Sequence, residues 1–340
     1  MTIITKRRAS PDQEAVAVLA ALRDAPAFFF DVALGARPYA PQIAMAEAVL
    51  RYPRVSVVGC NGSGKDWTAG RIILQWMTTR YPAKCVVIGP TWRQVDDIVW
   101  NEIRVAMAHW RLIPGVGLRV FQTPRLESLT NPAEHFAVGL SAADPYTLQG
   151  YHSPNLLAVV TEAHAVKQPH IEALRRLNPA CMLLTGNAFA TQGEFYDSHH
   201  MKRHLWQAIS ISAYDTPNVR ADAPETGLPE YAGMVTRADI AKRLEEWGAD
   251  SPMFQASVLG QFPASRDDAV VPLSAAMQAV GRESTPEGPV IIAVDVARFG
   301  RDKTVVVRRQ GEVARIIWRT QGRDTMQVTG WIASYLAETP

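Results

Sequence analysis

Arg54-Val55-Ser56-Val57-Val58-Gly59-Cys60-Asn61-Gly62-Ser63-Gly64-Lys65-Asp66 is the stretch on which the fold turns. Residues 54–58 form a short β-branched run that stops at Gly59, and a helical pattern opens at Gly64 or Lys65 and reaches Trp76 or Met77. The order is strand, glycine loop, helix. Gly59 and Gly64 enclose four residues and Lys65 follows, which is phosphate-binding spacing. A loop of this kind wraps phosphate oxygens with backbone N–H groups, so it needs positive φ and no Cβ in the way. Lys65 would bring a point charge to the β- and γ-phosphates, and the helix N-terminus behind it adds partial positive charge. One position departs from the pattern: Asp66 stands where Ser or Thr normally offers its hydroxyl to magnesium. A carboxylate can bind Mg²⁺ directly or through water, but it adds negative charge beside the phosphates.

Outward from the loop, Leu156-Leu157-Ala158-Val159-Val160 reads as a buried strand that ends in Thr161 and Glu162. An ATPase with a phosphate loop needs one acid for magnesium and a neighbouring glutamate to polarise the attacking water. Glu162 suits the second task. Thr161 stands where the aspartate is expected, so the magnesium site is either weak, with Asp66 assisting, or slow in turnover. If Thr161 is a lesion, Thr161→Asp should raise turnover strongly. Farther on, residues 183–184 end a strand at Thr185-Gly186-Asn187, where a polar tip would lie beside the nucleotide at the carboxyl edge of a parallel sheet.

Strands at 84–88, 118–121, 135–139, 156–160 and 182–185 alternate with helices, 94–107 among them, which implies a mostly parallel sheet covered on both faces. Helices are also expected over 11–30 and from Pro41 to about Arg51. From about 215 to 288 prolines punctuate short helices, such as the one over 237–247 with Thr236 as N-cap. The expected architecture is α/β: an ATPase domain of phosphate-loop type over 1–214, a small helical linker subdomain over 215–288, and a further α/β pattern over 289–340. With 340 residues, 47% of them hydrophobic and 20% charged, the chain can bury a sizeable core. Net charge is only +2, so any nucleic-acid contact must come from a local basic patch. Three widely spaced cysteines (Cys60, Cys85, Cys181) argue against a disulfide framework or a four-cysteine zinc site and fit a reducing cytoplasm. No apolar run is long enough to span a membrane.

Together these segments resemble the ATPase of tailed-bacteriophage large terminase subunits. The residues that carry the resemblance are Gly59 to Asp66, Pro90-Thr91-Trp92-Arg93-Gln94-Val95, Leu156 to His164, Thr185-Gly186-Asn187 and Ser212-Ala213-Tyr214-Asp215-Thr216-Pro217-Asn218. It implies ATP and Mg²⁺ as cofactors, bound by Gly59, Asn61, Gly62, Ser63, Gly64, Lys65, Asp66, Thr161 and Asn187, with Glu162 and Lys65 catalytic and Asp66 and Glu162 at the metal. It puts Tyr39 and Gln42 where related ATPases read the adenine edge, a task suited to an amide. It also implies an arginine that stabilises the transition state, sometimes supplied by a neighbouring subunit of a ring. Arg93, Arg119 and Arg125 are candidates, and residues 149–155 contain none.

Residues 290–304, with Asp295 ending an apolar run, resemble the first strand and turn of the ribonuclease H-like nuclease that terminases carry. Asp295 would be its first metal carboxylate, whereas Asp302 is read as shaping the turn. Two-metal cleavage needs several acids, and the later ones are expected beyond residue 340, so a nuclease fragment without competent cleavage is expected. The first strand should then show an open edge. The function expected is an ATP-driven motor that packages double-stranded viral DNA into a procapsid in the host cytoplasm, as a homo-oligomeric ring on a portal protein with a small terminase subunit and no membrane. Another DNA translocase or helicase, or a nucleotide-binding assembly module with impaired hydrolysis, are the alternatives.

Overall fold

The computed structural model describes residues 11–111, 113, 116–142, 148, 150–220, 231–263, 279, 282, 284–297 and 302–338, without the side chains of 11–15. The chain falls into two compact units, one reaching Val270 and the other starting at Val271.

The first unit opens with α1 (Pro11–Asp24), α2 (Pro26–Leu34) and α3 (Ala40–Arg51). One helix was expected over 11–30. The chain instead breaks at Ala25, because Pro26 has no N–H to continue the ladder and takes a first-turn position. Then come β1 (Arg54–Gly59), α4 (Lys65–Thr79) and β2 (Lys84–Gly89). A π-helical stretch, Gln94–Trp100, leads into α5 (Asn101–Ala108). Next are β3 (Leu118–Val120), β4 (Arg125–Ser128), β5 (Phe136–Ser141), β6 (Leu156–Val160), α6 (Gln168–Arg176), β7 (Cys181–Gly186), α7 (Glu194–Asp197) and β8 (Gln207–Ile211). Beyond them lie α8 (Arg237–Trp247) and the single turn α9 (Pro252–Phe254).

The eight strands run in the order β3-β4-β5-β2-β6-β7-β1-β8. Pairings from β5 through β8 are parallel, and only β3 and β4 add antiparallel pairs at one edge. The expected mostly parallel sheet is therefore present. Its central strands are buried along their whole length, as strands covered on both faces must be. One core cluster under α3, α4 and α5 includes Phe29, Phe30, Met45, Ile73 and Trp100. Another, on the opposite face, includes Val86, Ile88, Val160, Ile171 and Leu184. Phe30 meets Trp67 edge-on at 6.2 Å, so α2 braces the start of α4.

Two features of this topology position a site. The strand β7 lies between β1 and β6, with Val58 opposite Gly186 and Val160 opposite Leu184. All three strands therefore end together, and Gly59, Asn187 and Thr161 emerge at one carboxyl edge. The proline-punctuated region also packs back onto the loop after β1. Cys60, Val219, Val235, Ile240, Phe254 and Val258 form one buried cluster. The Thr236 hydroxyl accepts from the Asp239 N–H at 3.2 Å, the expected N-cap of α8.

The second unit holds β9 (Val290–Asp295), β10 (Thr304–Gln310), β11 (Val313–Thr320) and α10 (Thr325–Glu338). Its sheet is antiparallel in the order β11-β10-β9. Trp318 of β11 stacks on Trp331 of α10 at 4.4 Å, and Trp331 on Tyr335 at 5.3 Å. β9 pairs with β10 alone among the described residues and is largely exposed.

Candidate nucleotide site

Gly62 and Gly64 both have positive φ, +74° and +73°. A Cβ on Gly62 would stand 2.8 Å from the Val235 nitrogen, and one on Gly64 would stand 2.6 Å from Gln42 Nε2. Conformation requires glycine at both positions, and at Gly62 the backbone of Val235 also leaves no room for a Cβ. The loop is held from behind by backbone hydrogen bonds: Cys60 N–H to Ile211 O and Asn61 N–H to Ser257 O, both 2.9 Å, and Val235 N–H to Gly62 O at 3.3 Å. The Ser63 hydroxyl donates back to Cys60 O at 3.0 Å. What the loop presents is therefore a pre-shaped cradle at the N-terminus of a 15-residue helix.

Lys65 is buried, with 6% of its surface exposed, and its Nζ donates to Asn187 Oδ1 at 3.2 Å. The Asn187 amide donates in turn to Gly59 O and to Asn61 Oδ1, each at 2.8 Å. Asn187 thus ties the tip of β7 to both the loop and its lysine. Asp66, next on the helix, accepts a 2.7 Å hydrogen bond from the Thr161 hydroxyl. Residues 95 positions apart in the chain, the two that depart from the usual pattern, are in direct contact.

Glu162 has φ +47° and ψ +46°, a left-handed conformation that costs a non-glycine residue about 1–3 kcal/mol. Burial raises its carboxyl pKa above the ordinary range; Lys65 opposes this and Asp66 adds to it. Its Oε2 has no hydrogen-bond partner among the described residues. His164 Nδ1 stands 3.2 Å from that oxygen without the alignment of a hydrogen bond. Burial holds the imidazole pKa near 4, so it is neutral at pH 7 and forms no ion pair. A strained, desolvated carboxylate with a spare acceptor is suited to taking a proton from water.

Tyr39 and Gln42 brace the loop from α3. The Tyr39 hydroxyl donates to Ser63 O at 2.8 Å, and Gln42 Nε2 donates weakly to Gly64 O at 3.4 Å. A cavity of about 620 Å³ opens beside them, lined by residues 62–67 and by Gly35, Arg37, Gln42, Ile98, Glu102 and residues 231–234. Gln42 lines it and Tyr39 does not. Sequence reading missed Arg37, Trp67, Glu102 and Met234, because nothing in their local pattern separates them from surface or core. Asn218 supplies the link: its side chain bonds Tyr231 O at 2.9 Å and Tyr231 N–H at 3.0 Å, pinning the segment that forms this wall.

The candidate arginines stand apart. Arg119 and Arg125 both pair with Glu127, on the β3–β4 edge, and β5, β2, β6 and β7 separate β4 from β1. Arg93 is paired with Asp97 and its side chain is 88% exposed. Gln149 lies outside the described residues. Asp295 is exposed at the end of β9 in the second unit, and Asp302 is exposed two residues before β10, while the segment 298–301 lies outside the described residues. Among the described residues no group of three or more metal-ligating side chains is found, and no helix is long and apolar enough to cross a membrane.

Strand, glycine loop, buried lysine and a glutamate just after β6 define an α/β fold of phosphate-loop type. The resemblance to large terminase subunits is borne out beyond the motifs. A probable large terminase subunit of Enterobacteria phage P7 is 28% identical over 172 residues, covering 47% of this chain and 32% of that protein. The ATPase domain of the Thermus phage P74-26 large terminase, in a mutant form, matches 69% of this chain and 98% of its own at 16% identity with a TM-score of 0.50. The large terminase of a thermophilic bacteriophage matches 89% of this chain and 75% of its own at 10% identity, with a TM-score of 0.51. The same protein in complex with ADP gives 0.50. No family model matches. The chain has the fold of the large-terminase ATPase, and it spans about a third of the length of its curated relative.

Proposed function

We propose that this chain is the ATP-hydrolysing subunit of a motor that drives double-stranded viral DNA into a procapsid. The observation that carries the proposal is the convergence of Lys65, Asp66, Glu162 and Asn187 on the glycine loop, of which Lys65 and Asp66 also line the cavity of about 620 Å³. In this reading the loop amides and Lys65 hold the phosphates, and Gln42 faces the base. Glu162 accepts the proton of the attacking water. Magnesium, when bound, would neutralise charge on the phosphates, with Asp66 and Glu162 as the acids nearest to it. Two carboxylates, one of them with a hydroxyl beside it, fit an ion that takes most of its shell from water and phosphate. Asn187 bonds both Lys65 and the loop, so loss of the γ-phosphate would be felt at the end of β7.

A ring arrangement on a portal protein, with a small terminase subunit and in the host cytoplasm, follows from the same reading. Arg93, exposed just after β2, is the arginine best placed to reach a neighbouring subunit. In the second unit, Asp295 is the proposed first carboxylate of a ribonuclease H-like site. The three-part division into 1–214, 215–288 and 289–340 is kept as a functional division, although residues 231–263 pack against the loop. The test is ATP-driven displacement of a third strand from linear duplex DNA. Displacement without separation of the duplex strands is expected; strand separation would favour a helicase, and neither activity would sink the motor.

A further inference from the structure

The sequence departs twice from what a phosphate-loop ATPase requires, with an acid where the hydroxyl belongs and a hydroxyl where the acid belongs. In space the two departures are one contact, Thr161 Oγ1 to Asp66 Oδ1 at 2.7 Å. Together they still supply one carboxylate and one hydroxyl, so the local charge is unchanged. The geometry also fixes which atom faces which. Thr161 is 1% exposed and its N–H donates to Ile88 O at 2.9 Å. Its methyl packs on Gly89, where an added Cβ would come within 3.0 Å of it. With the methyl against β2, the hydroxyl turns to Asp66, and a β-branched side chain has little freedom to turn elsewhere. The other hydroxyls near the helix start are engaged inward: Ser63 on Cys60 O at 3.0 Å and Thr68 on Gly64 O at 2.8 Å.

We propose that Asp66 and Thr161 are a reciprocal exchange, in which Asp66 is the magnesium carboxylate, approaching from the helix, and Thr161 is the residue that positions it. Thr161 donates to Oδ1 and leaves Oδ2 for the ion or for a water on it. The proposal rests on the nucleotide-site reading above. It makes both single reversions harmful. Asp66→Thr leaves two hydroxyls at this contact, with Glu162 the one acid still near the ion, and Thr161→Asp sets two like charges against each other and removes the donor that holds Oδ1. Only the pair restores the balance.

The experiment is calorimetric titration of the full chain with ADP, in EDTA and in Mg²⁺, for the parent, Asp66→Thr, Thr161→Asp, the double variant and Thr161→Val, with thermal melts to confirm folding. The parent should bind ADP more tightly in Mg²⁺. Asp66→Thr should lose that gain while keeping its affinity in EDTA, and Thr161→Val should lose about 10-fold of the Mg²⁺-dependent affinity, the usual scale for removing a partner that orients a ligand. The double variant should return to within about threefold of the parent, against losses of about 10- to 100-fold in the single variants. A full magnesium gain in Asp66→Thr, or a gain in Thr161→Asp that the double variant does not share, would overturn the exchange and leave nucleotide binding standing. Absence of ADP binding by the folded parent under both conditions would overturn the site reading itself, and the exchange with it.

Discussion

Leu156–Val160 and Val290–Asp295 are similar apolar runs, the first followed by Thr161-Glu162 and the second ending in Asp295, and they lead opposite structural lives. The first, β6, is buried at every residue between two parallel neighbours. The second, β9, pairs with β10 alone among the described residues, with Val290, Ile291 and Val294 exposed at 45%, 50% and 37%. Apolar patterning specifies that a strand forms, but burial depends on which segments arrive on either side. A polar tip acquires chemical character in the same way. Glu162 is desolvated, strained and beside Lys65, whereas Asp295 is exposed to water.

That contrast can be broken at its chemical end first. Glu162→Gln should lower ATP turnover by about 10²- to 10⁴-fold, the range for removing a general base, while ADP affinity stays close to that of the parent. The same variant should melt slightly higher, because a buried carboxylate with a raised pKa opposes the folded state at neutral pH. The sign is set by the shift. A base must be deprotonated, so with its pKa raised the acid limb of kcat/KM, which reports the free protein, should lie above the ordinary carboxylate range, at pH higher than about 4.3. A limb at or below that value would remove the argument for desolvation. Lys65→Ala should lower turnover by about 10²- to 10³-fold, as loss of a preorganised charge does elsewhere, and unlike Glu162→Gln should weaken nucleotide binding.

At the structural end, Leu157→Ala in β6 should cost about 2–5 kcal/mol in denaturant unfolding of the first unit, since Leu157 is fully buried. Ile291→Ala in β9 should stay within about 0.5 kcal/mol, as exposed substitutions do. Similar costs at the two positions would mean that β9 is covered in solution.

Much of the proposed site is legible in the sequence because it is local: the loop and Lys65 stand out within a few residues and Glu162 at the end of an apolar run, whereas Thr185-Gly186-Asn187 taken alone reads as a turn. The strand order is not, since no local pattern says that β7 inserts between β1 and β6, and that insertion brings Asn187 to Lys65. The four-residue strand β4 escaped because Arg125-Leu126-Glu127-Ser128 carries too little apolar signal. Prolines between 215 and 263 suggest a separate linker, yet residues 231–263 hold the loop from behind through Val235 and Ser257. Most instructive are Asp66 and Thr161. Read along the chain they are two separate losses, and a gain on Thr161→Asp is the natural expectation; read in space they touch, and the same substitution becomes a clash of charges.

The most direct measurement is steady-state ATP hydrolysis by the purified chain, with and without linear double-stranded DNA, beside Lys65→Ala and Glu162→Gln. Turnover in the parent that disappears in both variants is the predicted result. Turnover that survives either substitution would contradict the assignment of the site.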